Sequence, residues 1–204
     1  MQKYVKLPKE FYLRNSIVVA KALLGKILVH KKGKKIYSGI IVETEAYTGR
    51  NDPAAHSFGG KTKRNEVMFG EGGKCYVYFT YGNHYCVNAV CEVKDKPHAV
   101  LIRGVEPVEG SGNMMKNRGT DNLYNLTNGP GKLTQAMEID LSLNGEDLND
   151  DKIFICEPGE KKKFKVIRSK RIGITKNPDK MWRFYLADNP FVSRININKI
   201  LRKK

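Results

Sequence analysis

No stretch of the 204-residue sequence approaches the ~18 consecutive apolar residues that span a bilayer. Residues 1–13 also lack the apolar run of a secretion signal. Both absences imply a cytoplasmic protein. Cysteine is scarce, and Cys75, Cys86, Cys91 and Cys156 form no C-x-x-C pair. That spacing argues against a zinc knuckle or a disulfide framework and for buried reduced thiols. No His-Glu-x-x-His, EF-hand loop, Walker A or Gly-x-Gly-x-x-Gly pattern is present, so neither a metal nor an organic cofactor is expected. Internal repeats and low-complexity linkers are lacking too, which points to one domain over residues 1–204. Negative charge is in deficit: 21 acidic residues stand against 37 basic ones, a net charge of +16. Such an excess favours a polyanionic partner, nucleic acid before others.

The charges are unevenly spread. Between Glu138 and Glu160 there are eight acidic residues and one lysine. Basic residues cluster at Lys31–Lys35, Lys61–Arg64, Lys161–Arg171 and Arg202–Lys204. This pattern predicts one face toward a polyanion and another away from it. The expected fold class is α+β, with a mainly antiparallel sheet. A helix is expected over Ser16–Leu24, capped by Ser16 or Asn15 and stopped by Gly25. Strands are expected over Lys26–His30, Lys35–Tyr47, Lys74–Tyr81, Tyr85–Val93, His98–Val105, Ile153–Cys156, Ile167–Ile174 and Trp182–Leu186. Two further helices are expected, one from Pro107 through Met115 and one over Lys132–Met137.

Three stretches bear on chemistry. In Val42-Glu43-Thr44-Glu45-Ala46-Tyr47, strand alternation puts Glu43, Glu45 and Tyr47 on one face. Two carboxylates there are costly if buried, so a solvated outer face is the simplest reading. A carboxylate beside an aromatic, with His56 nearby in sequence, instead suits a general base. The run from Tyr76 to Tyr85 is dense in aromatics, which suits base stacking. Tyr76 and Phe79 read best as sheet core, whereas Tyr81 precedes the turn and could act as a wedge between base pairs. Asn128-Gly129-Pro130-Gly131-Lys132 could open a helix whose amides, with Lys132, bind phosphate.

Together these stretches resemble the alkyladenine (3-methyladenine) DNA glycosylase family, over nearly the whole chain. The resemblance rests on Ala22–Lys26, Ile41–Tyr47, Ala54–Ser57, Arg64-Asn65 with Met68-Phe69, Tyr76–Tyr78 through Tyr81-Gly82, and Asn88. It continues through Leu101-Ile102-Arg103 with Glu106-Pro107, Gly129-Pro130 with Lys132-Leu133, Arg183–Tyr185, and Pro190–Ser193. It implies a curved antiparallel sheet with surrounding helices and a protruding hairpin that intercalates into DNA. It also implies a monomer that removes 3-methyladenine, 7-methylguanine, hypoxanthine and ethenoadenine from duplex DNA without a cofactor. By that resemblance Glu45 activates water, and Tyr47, His56, Tyr78, Asn88 and Leu101 line the pocket for a flipped base. Tyr81 replaces the flipped nucleotide, and Arg103, Lys132, Gly131 and Arg64 meet the DNA backbone or the target nucleotide. If Tyr78 and Asn88 share the pocket, a three-residue loop Gly82–His84 pairing them is expected rather than a two-residue turn at Gly82-Asn83.

Two other readings are possible from the residues alone. A nucleic-acid-binding protein without enzymatic activity explains the charge but gives Glu45 no purpose. A small-molecule nucleoside hydrolase explains a pocket but not the charge of +16.

Overall fold

The computed structural model describes residues 4–160, 162–195 and 200. A short helix, α1 (Lys9–Tyr12), precedes α2 (Ser16–Leu23). Asn15 caps α2 by accepting from the Ile17 N–H at 2.9 Å, and Gly25, at φ +82°, turns the chain away from it. β1 (Ile27–Lys32) and β2 (Lys35–Tyr47) then form an antiparallel pair through a two-residue turn. β3 (Cys75–Thr80), β4 (His84–Cys91) and β5 (His98–Glu109) follow. α3 (Ser111–Arg118) and α4 (Pro130–Ala136) come next, before β6 (Ile153–Cys156), β7 (Val166–Ser169) and β8 (Arg183–Leu186). The eight strands make one curved antiparallel sheet in the order β3-β4-β5-β2-β1-β6, with β8 beside the C-terminal part of β2 and β7 beside β8. The expected α+β class holds. Among the described residues no helix is long and apolar enough to cross a membrane.

β2 positions everything that follows. Its Val42, Thr44 and Ala46 face α2 and the main core, and the Thr44 hydroxyl donates to the Ala20 carbonyl at 2.9 Å. Glu43, Glu45 and Tyr47 take the other face, as alternation requires. That face is not a solvated surface, since Glu43 and Glu45 are both fully buried. Three register irregularities interrupt the β2–β5 ladder, skipping Val108, Val42 and Arg103 in turn. Bulges of this kind re-aim a side chain, and here Arg103 turns toward both glutamates.

Several expectations are corrected. Pro107 does not start a helix. It pairs opposite Gly39 inside a longer β5, at a register shift where its missing N–H is tolerated, and the helix begins only at Ser111. The expected strand over Ile167–Ile174 stops at Ser169, because Arg171 and Ile172 leave the sheet edge to reach Asp52 and Glu45. In the β3–β4 pair the loop is Tyr81–Asn83, with Tyr78 opposite Cys86 and Tyr76 opposite Asn88. Neither anticipated register holds, yet Tyr78 and Asn88 do share a face because the parity is unchanged. Phe79 is not core; it lies 42% exposed on the outer face of the pair.

The charge segregation is also weaker than the linear sequence implies. Lys32 and Lys35, at the β1–β2 turn, fold against Glu138. Asp147, Asp151 and Glu157 pair with Lys74, Lys6 and Lys26. Much of the acidic segment is thus neutralised locally by lysines far away in sequence. Lys161 and the basic tail Arg202–Lys204 lie outside the described residues.

Candidate active site

The ladders set one row of residues across the sheet: Tyr76, Asn88, Leu101, Glu45 and Arg183, each directly opposite the next. Directly opposed residues share a face. Tyr78 and Cys86 lie one step along the row on one side, and Tyr47 and Ala99 do so on the other. The sheet therefore carries Glu45 in the middle of an aromatic and amide surface.

Glu45 has three partners. The Tyr47 hydroxyl donates to Oε2 at 2.9 Å, the Ile172 N–H donates to Oε1 at 2.7 Å, and Arg103 Nη1 lies 3.5 Å from Oε2. Burial raises the carboxyl pKa above its ordinary value, and these three groups, Arg103 first, pull against that rise. Burial likewise opposes the charge of Arg103, but Glu45 and Glu43 outweigh it and hold the guanidinium protonated.

Glu43 is a hub with a different character. Its Oε1 accepts from Arg103 Nε at 2.9 Å, Arg183 Nε at 2.7 Å and the Ser193 hydroxyl at 2.8 Å, and its Oε2 accepts from the Ser193 N–H at 2.7 Å. Its two oxygens already accept four donors, whereas Glu45 sits beside the cleft.

That cleft is lined by Tyr47, Ala54, His56, Met68, Tyr76, Tyr78, Asn88 and Ala99. Four of the five expected pocket residues meet there. Leu101 does not line it; it stays buried in the row between Asn88 and Glu45. The His56 and Tyr78 rings meet edge-on with centroids 4.4 Å apart, and His56 Nδ1 lies 3.0 Å from the Tyr76 hydroxyl. The packed rings, and next the Arg64 guanidinium, lower the His56 pKa, so the imidazole is neutral near pH 7. Burial pushes the Tyr76 hydroxyl up to about 12. Asn88 is oriented by donating to the Tyr76 carbonyl at 3.0 Å. The cavity is only about 20 Å³, room for roughly one water.

A groove of about 950 Å³ lies elsewhere, beside Tyr124, Phe164 and Phe191. Two of its acids, Glu106 and Glu157, are bonded to Asn189 and Lys26.

At the loop tip Tyr81 has φ +52° and is 82% exposed, an unusual conformation for a bulky residue and one that frees its ring from the sheet. Arg64 anchors to the same pair, donating to the Phe79 carbonyl at 2.9 Å with its guanidinium 5.7 Å from the Tyr78 ring centre. Lys132 is less free than expected, since its ammonium donates to the amide oxygens of Asn125 and Asn128. Gly131 serves packing: a Cβ there would sit 2.8 Å from His84 Cγ. α4 thereby supports the start of β4, reinforced by the Thr134 hydroxyl donating to the Tyr85 carbonyl at 3.0 Å.

Tyr76 is core, as its apolar neighbours imply, and its hydroxyl also reaches His56 at the cleft. Five residues that shape this site, Asp52, Arg171, Ile172, Arg183 and Ser193, escape a reading of the sequence alone. Asp52, Arg171 and Ile172 left no signal, because they meet across more than a hundred residues of chain. Arg183 and Ser193 lay within stretches carrying the resemblance, but nothing in their spacing pointed to Glu43.

A family model described as methylpurine-DNA glycosylase matches residues 10–190. Among similar curated proteins, one from Prosthecochloris aestuarii is 49% identical over 197 residues, covering 96% of this chain and 95% of the relative. One from Desulfitobacterium hafniense is 48% identical over 201 residues, covering 92% and 98%. One from Methanoculleus marisnigri is 48% identical over 191 residues, covering 92% and 98%. Each is named as a candidate 3-methyladenine DNA glycosylase.

Proposed function

The chain belongs to the methylpurine-DNA glycosylase family and is an N-glycosyl hydrolase acting on DNA; from that premise we propose that it flips alkylated or deaminated purines out of duplex DNA and hydrolyses them with water activated by Glu45. The observation that carries this reading is a fully buried carboxylate, held by Tyr47, Ile172 and Arg103, beside an aromatic cleft. The substrates are 3-methyladenine, 7-methylguanine, hypoxanthine and ethenoadenine. The whole chain works as one domain and as a monomer.

In this reading a flipped base enters as the His56 and Tyr78 rings part, since the closed cleft has room for little more than one water. Tyr47, His56 and Tyr78 then face the purine, and their ring faces attract the cation of an alkylated base. Asn88 crowds the exocyclic amino group that a normal guanine would bring. Tyr81 fills the vacated stack, and Arg64 and Arg103 meet the nucleotide. Leu101 acts from beneath, setting the spacing between Asn88 and Glu45. Lys132 and Gly131, at the start of α4, meet the DNA backbone.

The bond from the sugar C1′ to the purine nitrogen breaks, and its electron pair leaves with the base. Water attacks C1′ while Glu45 orients it, takes its proton and offsets the positive charge developing on the sugar. Flipping costs a few kcal/mol, less for a poorly paired damaged base. The test is incubation with a duplex carrying one hypoxanthine or one 7-methylguanine, followed by alkali and a denaturing gel. Cleavage at the lesion is expected. Retarded but intact DNA would mean a binding protein instead.

A further inference from the structure

We propose that Arg171 is a positioning residue that holds both neutral hydrogen-bond donors of Glu45 in place, clamping Tyr47 on one side and the Ile172 N–H on the other. The inference rests on the reading of Glu45 as the water-activating group.

Arg171 is a fully buried cation. Its Nη2 donates to Asp52 Oδ1 at 2.8 Å, and Nη1 reaches the other oxygen of the same carboxylate. Nη1 also donates to the carbonyl of Ala46 at 3.1 Å, the residue between Glu45 and Tyr47 on β2. The guanidinium carbon lies 4.6 Å from the Tyr47 ring centre and 5.1 Å from that of Trp182. One side chain thus ties the loop after β7 to the end of β2, to the Asp52 turn and to the start of β8. The next residue along the chain supplies the 2.7 Å amide bond to Glu45. A Cβ added at Gly173, two residues on, would lie 3.9 Å from the Tyr81 hydroxyl, so the same loop runs close to the exposed tip. A buried bidentate Arg–Asp pair is costly to assemble and is poor evidence of stability alone. Here its geometry serves to fix planar contacts that lysine cannot reproduce.

The groups facing Glu45 are Arg103 on β5, Glu43 and Tyr47 on β2, Cys86 on β4 and Arg183 on β8. Arg103 and Glu43 are fixed independently of Arg171, by the hub at Ser193. Losing the clamp therefore removes the Tyr47 and Ile172 donors selectively. Both stabilise the carboxylate, so their loss moves Glu45 further up in pKa.

The test is an infrared titration of the Glu45 carboxyl band, identified by its absence in Glu45→Gln, in wild type, Arg171→Lys and Asp52→Asn. Asp52→Asn leaves Arg171 in place but withdraws its anchor, and it decides the matter if Arg171→Lys fails to fold. The expected result is an upward shift of about one pH unit, a tenfold change in the proton equilibrium, with the acid limb of single-turnover excision moving the same way. Titration curves superimposing on wild type overturn the proposal. The infrared readout does not need turnover, so an inactive wild type would sink the proposed function while still deciding the role of Arg171.

Discussion

Glu43→Gln is a sharper perturbation than its neighbour Glu45→Gln, although the two carboxylates share a strand face and a charge. Glu43 accepts four hydrogen bonds, three on Oε1 and one on Oε2. Glutamine can keep its oxygen where three donors converge, but its NH2 then faces the Ser193 N–H, donor against donor. Two buried guanidiniums, Arg103 and Arg183, also lose the anion between them. Removing one partner of a buried ion pair costs about 3–5 kcal/mol. At about 2–4 °C per kcal/mol for a domain of this size, the melting temperature should fall by about 6–20 °C. Because Arg103 reaches Glu45 from this anchor, excision should slow as well, below the melting transition. Thermal melts by circular dichroism, with single-turnover excision at 25 °C, measure both. A melting temperature within about 2 °C of wild type would refute the hub as the organising element.

Glu45→Gln should act oppositely on stability. Burial raises the folded-state pKa of Glu45 above its ordinary value of 4.5, so ionisation costs folding free energy as pH rises from there through the raised value. The melting temperature of the variant should match wild type below pH 4.5 and exceed it toward neutrality; a constant difference across this range would contradict the sign. Tyr81→Ser should lose excision of paired lesions while keeping more on single strands, where no stack is opened; equal losses would place Tyr81 in the pocket or core. DNA affinity should fall steeply with salt, with a slope of log K against log salt of about −0.9 per phosphate neutralised. A nearly flat titration would count against any extended contact with the backbone.

Local periodicity made the sheet legible. The strand from Lys35 to Tyr47 and the helix capped at Asn15 appear where alternation and capping chemistry put them, since both signals act over a few residues. The shared face of Glu43, Glu45 and Tyr47 followed from period two, but its burial did not. Burial depends on Arg103, Arg183 and Ser193, which arrive from strands and turns sixty to one hundred and fifty residues away. Pro107 shows the same limit from the other side. Its fixed φ and missing N–H suited a helix start, but pairing with Gly39 and the register shift there decided the outcome. Tyr76 is core as read, and its second role in the cleft wall emerges only once His56 is placed beside its hydroxyl. Gly131 and Lys132 suggest a phosphate site from their own stretch, whereas the close approach of His84 to Gly131 comes from a distant segment that the stretch does not announce.

Single-turnover excision of hypoxanthine by wild type and Glu45→Gln, with binding to the same duplex measured in parallel, tests the central claim most directly. Glutamine keeps the size and can still bond the Tyr47 hydroxyl and the Ile172 N–H, but it cannot take a proton or offset charge on the sugar. The rate should fall by at least ~10²–10⁴-fold, the usual contribution of a general base, while binding is unchanged or tighter. A Glu45→Gln protein that cuts at near the wild-type rate would contradict the account.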